Sequence, residues 1–120
     1  MYKLIIAGSR TFDDYGRLDY EVKHFIVNKI KSKNVTIISG TASGADRLGE
    51  RFAEKYNLEL IKMPANWDEY GKRAGHIRNE EMAKIATHCI VFIRNNSKGS
   101  VNMIQHCKKH NLIYKVIAIT

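Results

Sequence analysis

Apolar residues recur along the chain in two alternating patterns. Lys3-Leu4-Ile5-Ile6-Ala7 is a short, nearly continuous apolar run that stops at Gly8, and Val35-Thr36-Ile37-Ile38-Ser39 stops in the same way at Gly40. Cys89-Ile90-Val91-Phe92-Ile93 and Val116-Ile117-Ala118-Ile119 share this character, and Leu58 to Met63 is a further strand, stopped by Pro64. Such runs predict strands buried on both faces, and Pro64 has no N–H to continue a ladder. Between them apolar positions fall at helical spacing. Leu18, Val22, Phe25, Ile26 and Ile30 follow Asp13 or Asp14 as N-cap. Ala45, Leu48, Phe52, Ala53 and Tyr56 make a second face, Ile77, Met82, Ile85 and Ala86 a third, and Val101, Ile104 and Cys107 a fourth. Five strands alternating with four helices predict an α/β fold, a Rossmann-like three-layer sandwich around a five-stranded parallel sheet. Right-handed crossovers favour strand order 3-2-1-4-5, with its reversal between the first and fourth strands. Ligands of such sheets bind beyond the strands' carboxyl ends at the reversal. The loops after Ala7, Ser39 and Ile93 and the long connection after Met63 are therefore the expected site.

Composition narrows the class. The 120 residues fit one domain over 1–120, and 44% apolar content suffices for a core without metal or disulfides. No apolar run approaches the ~18 residues of a membrane span, and no cleavage-site pattern follows Met1. A cytoplasmic location and no membrane partner are the expectation. Cys89 and Cys107 lack C-x-x-C spacing and read as reduced core residues. The net charge is +8, and Glu81 is the last acidic residue; Lys84, Arg94, Lys98, Lys108, Lys109 and Lys115 follow it unopposed. That field draws phosphates on a small molecule or a nucleic acid, although solvated helix faces would carry the same excess.

The expected loops hold matching chemistry. Gly8-Ser9-Arg10-Thr11 follows the first strand, Gly40-Thr41-Ala42-Ser43-Gly44-Ala45-Asp46 runs from the second into a helix, and Asn95-Asn96-Ser97-Lys98-Gly99-Ser100 follows the fourth. Small residues let a ligand approach the backbone, hydroxyls add donors, and free N–H groups at a helix start favour an anion. Each loop alone is an ordinary turn signal; three at one sheet edge favour a small phosphorylated molecule. The chain has no G-x-G-x-x-G after the first strand, no G-x-x-x-x-G-K-[ST] and no G-x-S-x-G, which disfavours a standard dinucleotide dehydrogenase, an ATP-hydrolysing motor and a serine hydrolase.

In the polar stretch from Asn66 to Asn79, Arg78 and Asn79 open a helix near the same edge. Arg gives forked, charge-assisted bonds to phosphate; the competing reading pairs Arg78 with Asp46 or a nearby Glu. Trp67 either stacks on a base or caps the core, with the core favoured. His106 and His110 are spaced i,i+4, with His88-Cys89 elsewhere, but no second paired-ligand motif accompanies them. No metal site is expected.

Gly8-Ser9-Arg10, Ser39-Gly40-Thr41-Ala42-Ser43-Gly44-Ala45-Asp46, Ala74-Gly75-His76-Ile77-Arg78-Asn79-Glu80-Glu81-Met82 and Ser97-Lys98-Gly99-Ser100 together resemble the motifs of the YspA/YpsA-related SLOG family. That family belongs to the superfamily of the DprA and Lonely Guy proteins. The resemblance runs in order along nearly the whole chain, and its specific part is G-A-D combined with A-G-x-x-R-N. It implies a Rossmann-like fold, a nucleotide-derived ligand, a bacterial or phage origin and, from the superfamily's frequent dimerisation, a homodimer. His76 stands where the family often has Pro, and His88 where it tends to have Asp. The superfamily's phosphoribohydrolases carry Gly-Thr-x-Glu after the fourth strand, where this chain has Gly99-Ser100-Val101-Asn102. Asn102 cannot serve as a carboxylate acid, base or oxocarbenium stabiliser.

The leading expectation is a binding or sensing module for a nucleotide or nucleotide-derived ligand, held by Gly8, Ser9, Arg10, Gly40, Thr41, Ser43, Gly44, Asp46, Arg78, Asn79, Ser97, Gly99 and Ser100. No other cofactor is expected. The alternative is a nucleotide N-glycosidase using Asp46, Glu80 or Glu81 in place of the missing carboxylate. Single-stranded nucleic-acid binding ranks lowest, because aromatic residues do not interleave with the basic ones.

Overall fold

The computed structural model describes residues 1–120. Strand β1 (Tyr2–Gly8) leads to helix α1 (Tyr15–Phe25), β2 (Val35–Ser39), α2 (Ala45–Lys55) and β3 (Glu59–Lys62). A short helix α3 (Trp67–Tyr70) precedes α4 (Ala74–Ile85), β4 (His88–Ile93), α5 (Lys98–Lys109) and β5 (Ile113–Ala118). The sheet order is β3-β2-β1-β4-β5, and every neighbouring pair is parallel. This is the predicted Rossmann-like architecture, with the reversal at β1 and β4.

Strand alternation divides the apolar residues into two layers. Leu4, Ile6 and Ile37 pack with Leu18, Val22, Phe52 and Ala53 on the α1–α2 side. Ile5, Ala7 and Ile38 pack with Met82, Ala83, Met103 and Cys107 on the α4–α5 side. Burying both faces of β1, β2 and β4 is what makes them read as unbroken apolar runs. Phe12, just beyond β1, stacks on Phe92 with ring centroids 5.0 Å apart, fixing the first loop against β4. Cys89 and Cys107 are buried free thiols. No helix is long and apolar enough to cross a membrane.

Of the two cap candidates, Asp14 caps α1 as expected, accepting from the Arg17 N–H at 3.0 Å. Several boundaries differ from the expected ones. Helix α1 ends in a π-helical turn, Ile26–Ile30, closed by Lys31 in the left-handed region at φ 58°. β5 begins three residues before Val116: as a sheet edge it leaves Ile113 and Val116 exposed and buries only Ile117. The connection after Met63 is not featureless. The Asn66 side chain accepts from the Glu69 N–H at 3.2 Å to start α3, and the 3-10 turn Gly71–Arg73 feeds into α4 at Ala74, before the first apolar marker Ile77.

Candidate functional site

The carboxyl ends of β1 and β4 open into a cleft of about 470 Å³, walled by the first loop, the start of α2, α3, the start of α4 and the start of α5. Its floor is organised around Ser9, which is 4% exposed. The Ser9 N–H donates to the Phe92 carbonyl at 2.8 Å, and its carbonyl accepts from Phe12 and Ala45, both at 3.2 Å. Its hydroxyl accepts from the Arg94 N–H at 2.8 Å and lies 3.0 Å from the Ser97 hydroxyl, which donates to Ser100 Oγ at 2.7 Å. The loops after β1, β2 and β4 are thus joined through one small residue.

Gly44 permits this junction. Its φ is +78°, and a Cβ would land on the Ser9 and Arg10 backbone. Gly44 therefore brings two loops together and is not among the residues that line the cleft. Gly40 is small for a different reason: a Cβ there would meet the Arg78 guanidinium and the Asp46 carboxylate at 2.6–2.8 Å. Arg78 Nη1 donates to the Gly40 carbonyl, and its Nε donates to Asn79 Oδ1 at 3.0 Å. Arg78 forms no ion pair with Asp46, contrary to the competing reading. No buried side-chain nitrogen or oxygen lacks a partner, so Arg78 Nη2, which has no protein acceptor, keeps access to solvent. Asn79 is buried and ties α4 to α5, donating through Nδ2 to the Gly99 carbonyl at 3.3 Å and to Asn102 Oδ1 at 3.0 Å.

Asp46 is 5% exposed and accepts from the Ala42 N–H at 3.1 Å. Burial pushes its carboxyl up to about 6, against the pull of that bond and of the nearby Arg78 charge. Burial likewise lowers the affinity of Arg78 for its proton, offset by Asp46, without discharging a guanidinium near neutral pH. Around this single acid the cleft carries Arg10, Lys72, Arg78, Arg94 and Lys98. Arg94 is partly committed, donating to the Thr11 carbonyl at 2.9 Å and to Thr11 Oγ1 at 3.0 Å.

Of the residues singled out in the sequence, Gly8, Ser9, Arg10, Asp46, Arg78, Asn79, Ser97, Gly99 and Ser100 line the cleft. Gly40, Thr41 and Ser43 line a shallower depression that shares Arg10, Ala42, Trp67 and Arg78 with it. The alternative acid candidates lie elsewhere. Glu80 turns toward α5, where Lys109 Nζ stands 2.6 Å away and holds its carboxyl down at about 2. Glu81 borders a separate cavity against α3. Helical phase separates them: Arg78 and Asn79 occupy the cleft side of α4, and the next two residues rotate off it by roughly 100° each. Trp67 is 51% exposed at the rim and does not cap the core. Lys72, Arg94 and Lys98 were absent from the expected set; Arg94 and Lys98 had a signal in the basic final third, and Lys72 had none.

Comparisons with known proteins agree with this fold. The chain is 27% identical over 117 residues to the Gene 61 protein of Mycobacterium phage D29, covering 91% of this chain and 90% of that one. Its fold is similar, with a TM-score of 0.73 and 20% identity, to DNA processing protein A (DprA) from Streptococcus pneumoniae. All of this chain is matched there, and it spans 50% of the DprA chain. A family model described as YspA, cpYpsA-related SLOG family matches residues 2–70, from β1 through the first wall of the cleft to α3. The chain belongs to the YspA, cpYpsA-related SLOG family.

Proposed function

We propose that the cleft binds a nucleotide or nucleotide-derived ligand, with its phosphate at the start of α5 and against Arg78. The observation that carries this reading is the charge at the sheet reversal, where five cationic side chains face one acid. The start of α5 has no acidic residue in its first turn and no side chain capping its amides, which suits an anion. The Arg78 Nη2 amine is a free donor for the same group. The exposed Trp67 face at the rim offers a surface for a base. A volume of about 470 Å³ falls within the ~300–1,000 Å³ of small-molecule sites.

Titration calorimetry with nucleoside mono- and diphosphates, ADP-ribose and cyclic dinucleotides tests this. Arg78→Ala should weaken any binding found by about 1.5–3 kcal/mol, or roughly 10–150-fold. Equal affinity of wild type and variant across the panel, or no binding at all, removes the proposal.

A second reading, single-stranded nucleic acid, gains support from Trp67, which stands exposed beside Arg10 and Lys72 instead of in the core. Stacking on an aromatic combined with a cationic groove suits an unpaired strand. That reading requires oligonucleotide affinity that falls steeply with salt; absence of a shift at low salt eliminates it. The N-glycosidase reading retains only Asp46 as a carboxylate in the cleft.

A further inference from the structure

His106 and His110 on α5 share one helix face, and the fold brings Glu80 of α4 against them. Glu80 Oε2 lies 3.7 Å from His106 Nδ1 and 3.4 Å from His110 Nε2, and the three ligating atoms all fall within 4.8 Å of one another. Ligands at about 2.0–2.2 Å from a tetrahedral Zn²⁺ stand roughly 3.3–3.5 Å apart, so two of the three separations need almost no adjustment. The side chains are 16%, 22% and 29% exposed for His106, His110 and Glu80, so packing already restricts them while one side stays open to solvent.

We propose that Glu80, His106 and His110 form a site for a Zn²⁺-class divalent cation that links α4 to α5 outside the cleft. Two imidazoles and one carboxylate favour zinc and its late first-row neighbours over Mg²⁺ or Ca²⁺, which take all-oxygen sets. Three protein ligands leave a fourth position for water. Lys109 is the competitor: its ammonium sits 2.6 Å from Glu80 Oε2, on a side chain 64% exposed. The dication replaces it as the counter-charge of Glu80. No ligand of this site lines the nucleotide cleft, so the two readings stand or fall separately.

The test uses the full chain, stripped with chelator and titrated with Zn²⁺, read by thermal unfolding and, with Co²⁺ substituted, by visible absorption. Zn²⁺ should raise the wild-type midpoint progressively as its free concentration rises above the dissociation constant, and Co²⁺ should give tetrahedral-type bands. His106→Ala/His110→Ala should abolish both signals. Glu80→Gln, which preserves size and keeps the test valid if the double variant fails to fold, should weaken the metal by at least ~10–100-fold, the range for lesser second-sphere changes. Lys109→Gln should bind Zn²⁺ as tightly as wild type or more so. The proposal is overturned by no Zn²⁺ effect on wild type, by an equal effect of Mg²⁺, or by an effect that survives Glu80→Gln and the histidine changes, as binding at Cys89 or Cys107 would.

Discussion

The starts of α2 and α5 look alike in sequence and behave differently in the structure. Each follows a buried strand, each contains Gly and Ser, and each opens a helix at the same sheet edge. The α2 start is closed on itself. Its first amide, Ala45 N–H, already donates to Ser9, Asp46 accepts from Ala42, and the Ser39 hydroxyl accepts from Thr41 at 3.0 Å. The α5 start is open: no side chain caps it, its first turn carries Lys98 and no acid, and a Cβ on Gly99 would meet nothing within 4 Å. A glycine-rich turn can therefore serve to let two backbones meet or leave a helix start open. What separates the two is whether the first amide of the helix, and the loop amides before it, already have acceptors.

The sharpest way to break this comparison is at the glycines of the closed start. Gly44→Ala combines a left-handed backbone with a clash against Ser9 and Arg10, and should cost about 2–4 kcal/mol in urea denaturation. A variant as stable as wild type would mean that the loop junction is not tight. Next comes the buried acid. The Asp46 pKa is about 6 in the folded chain against an ordinary 3.8, so the folded state binds more protons between those values. Stability should then fall as pH rises from 4 to 6 and level off above, by about 2–3 kcal/mol in total. Asp46→Asn should lack that decline; identical pH profiles for the two proteins would contradict it. The smallest effect belongs to the open start. Gly99→Ala should change stability by less than about 1 kcal/mol, with a gain of ~0.4–1 kcal/mol expected from the stiffer unfolded chain. A large loss there would reverse the contrast.

The fold was legible because β1, β2 and β4 bury both faces, leaving unbroken apolar runs, and because the crossover rule leaves few topologies. It blurred where burial was one-sided or absent: β5 hid its first half because an edge strand exposes Ile113, and α3 is a polar turn whose only sign is the Asn66 cap. At the site, the loops could be placed from strand ends alone. The roles within them could not. Nothing in a Gly-Ala-Asp string tells whether the glycine faces a ligand or the Ser9 backbone, since that depends on a contact 35 residues away in sequence. Glu80 and Glu81 beside Arg78 posed the same difficulty, because the direction of each depends on where α4 begins, three residues before its first clear apolar marker. The third partner of His106 and His110 lies on another helix and was out of reach of spacing rules.

Ser9 has a consequence for how such a pocket changes over time. Its backbone and hydroxyl tether three loops at once, so a substitution there would disturb every wall together. Arg10, Lys72, Trp67 and Lys98 are exposed at the mouth, and exchanging any of them leaves that tether intact. Changes at the mouth can therefore accumulate in descendants of this scaffold while the base is inherited unchanged.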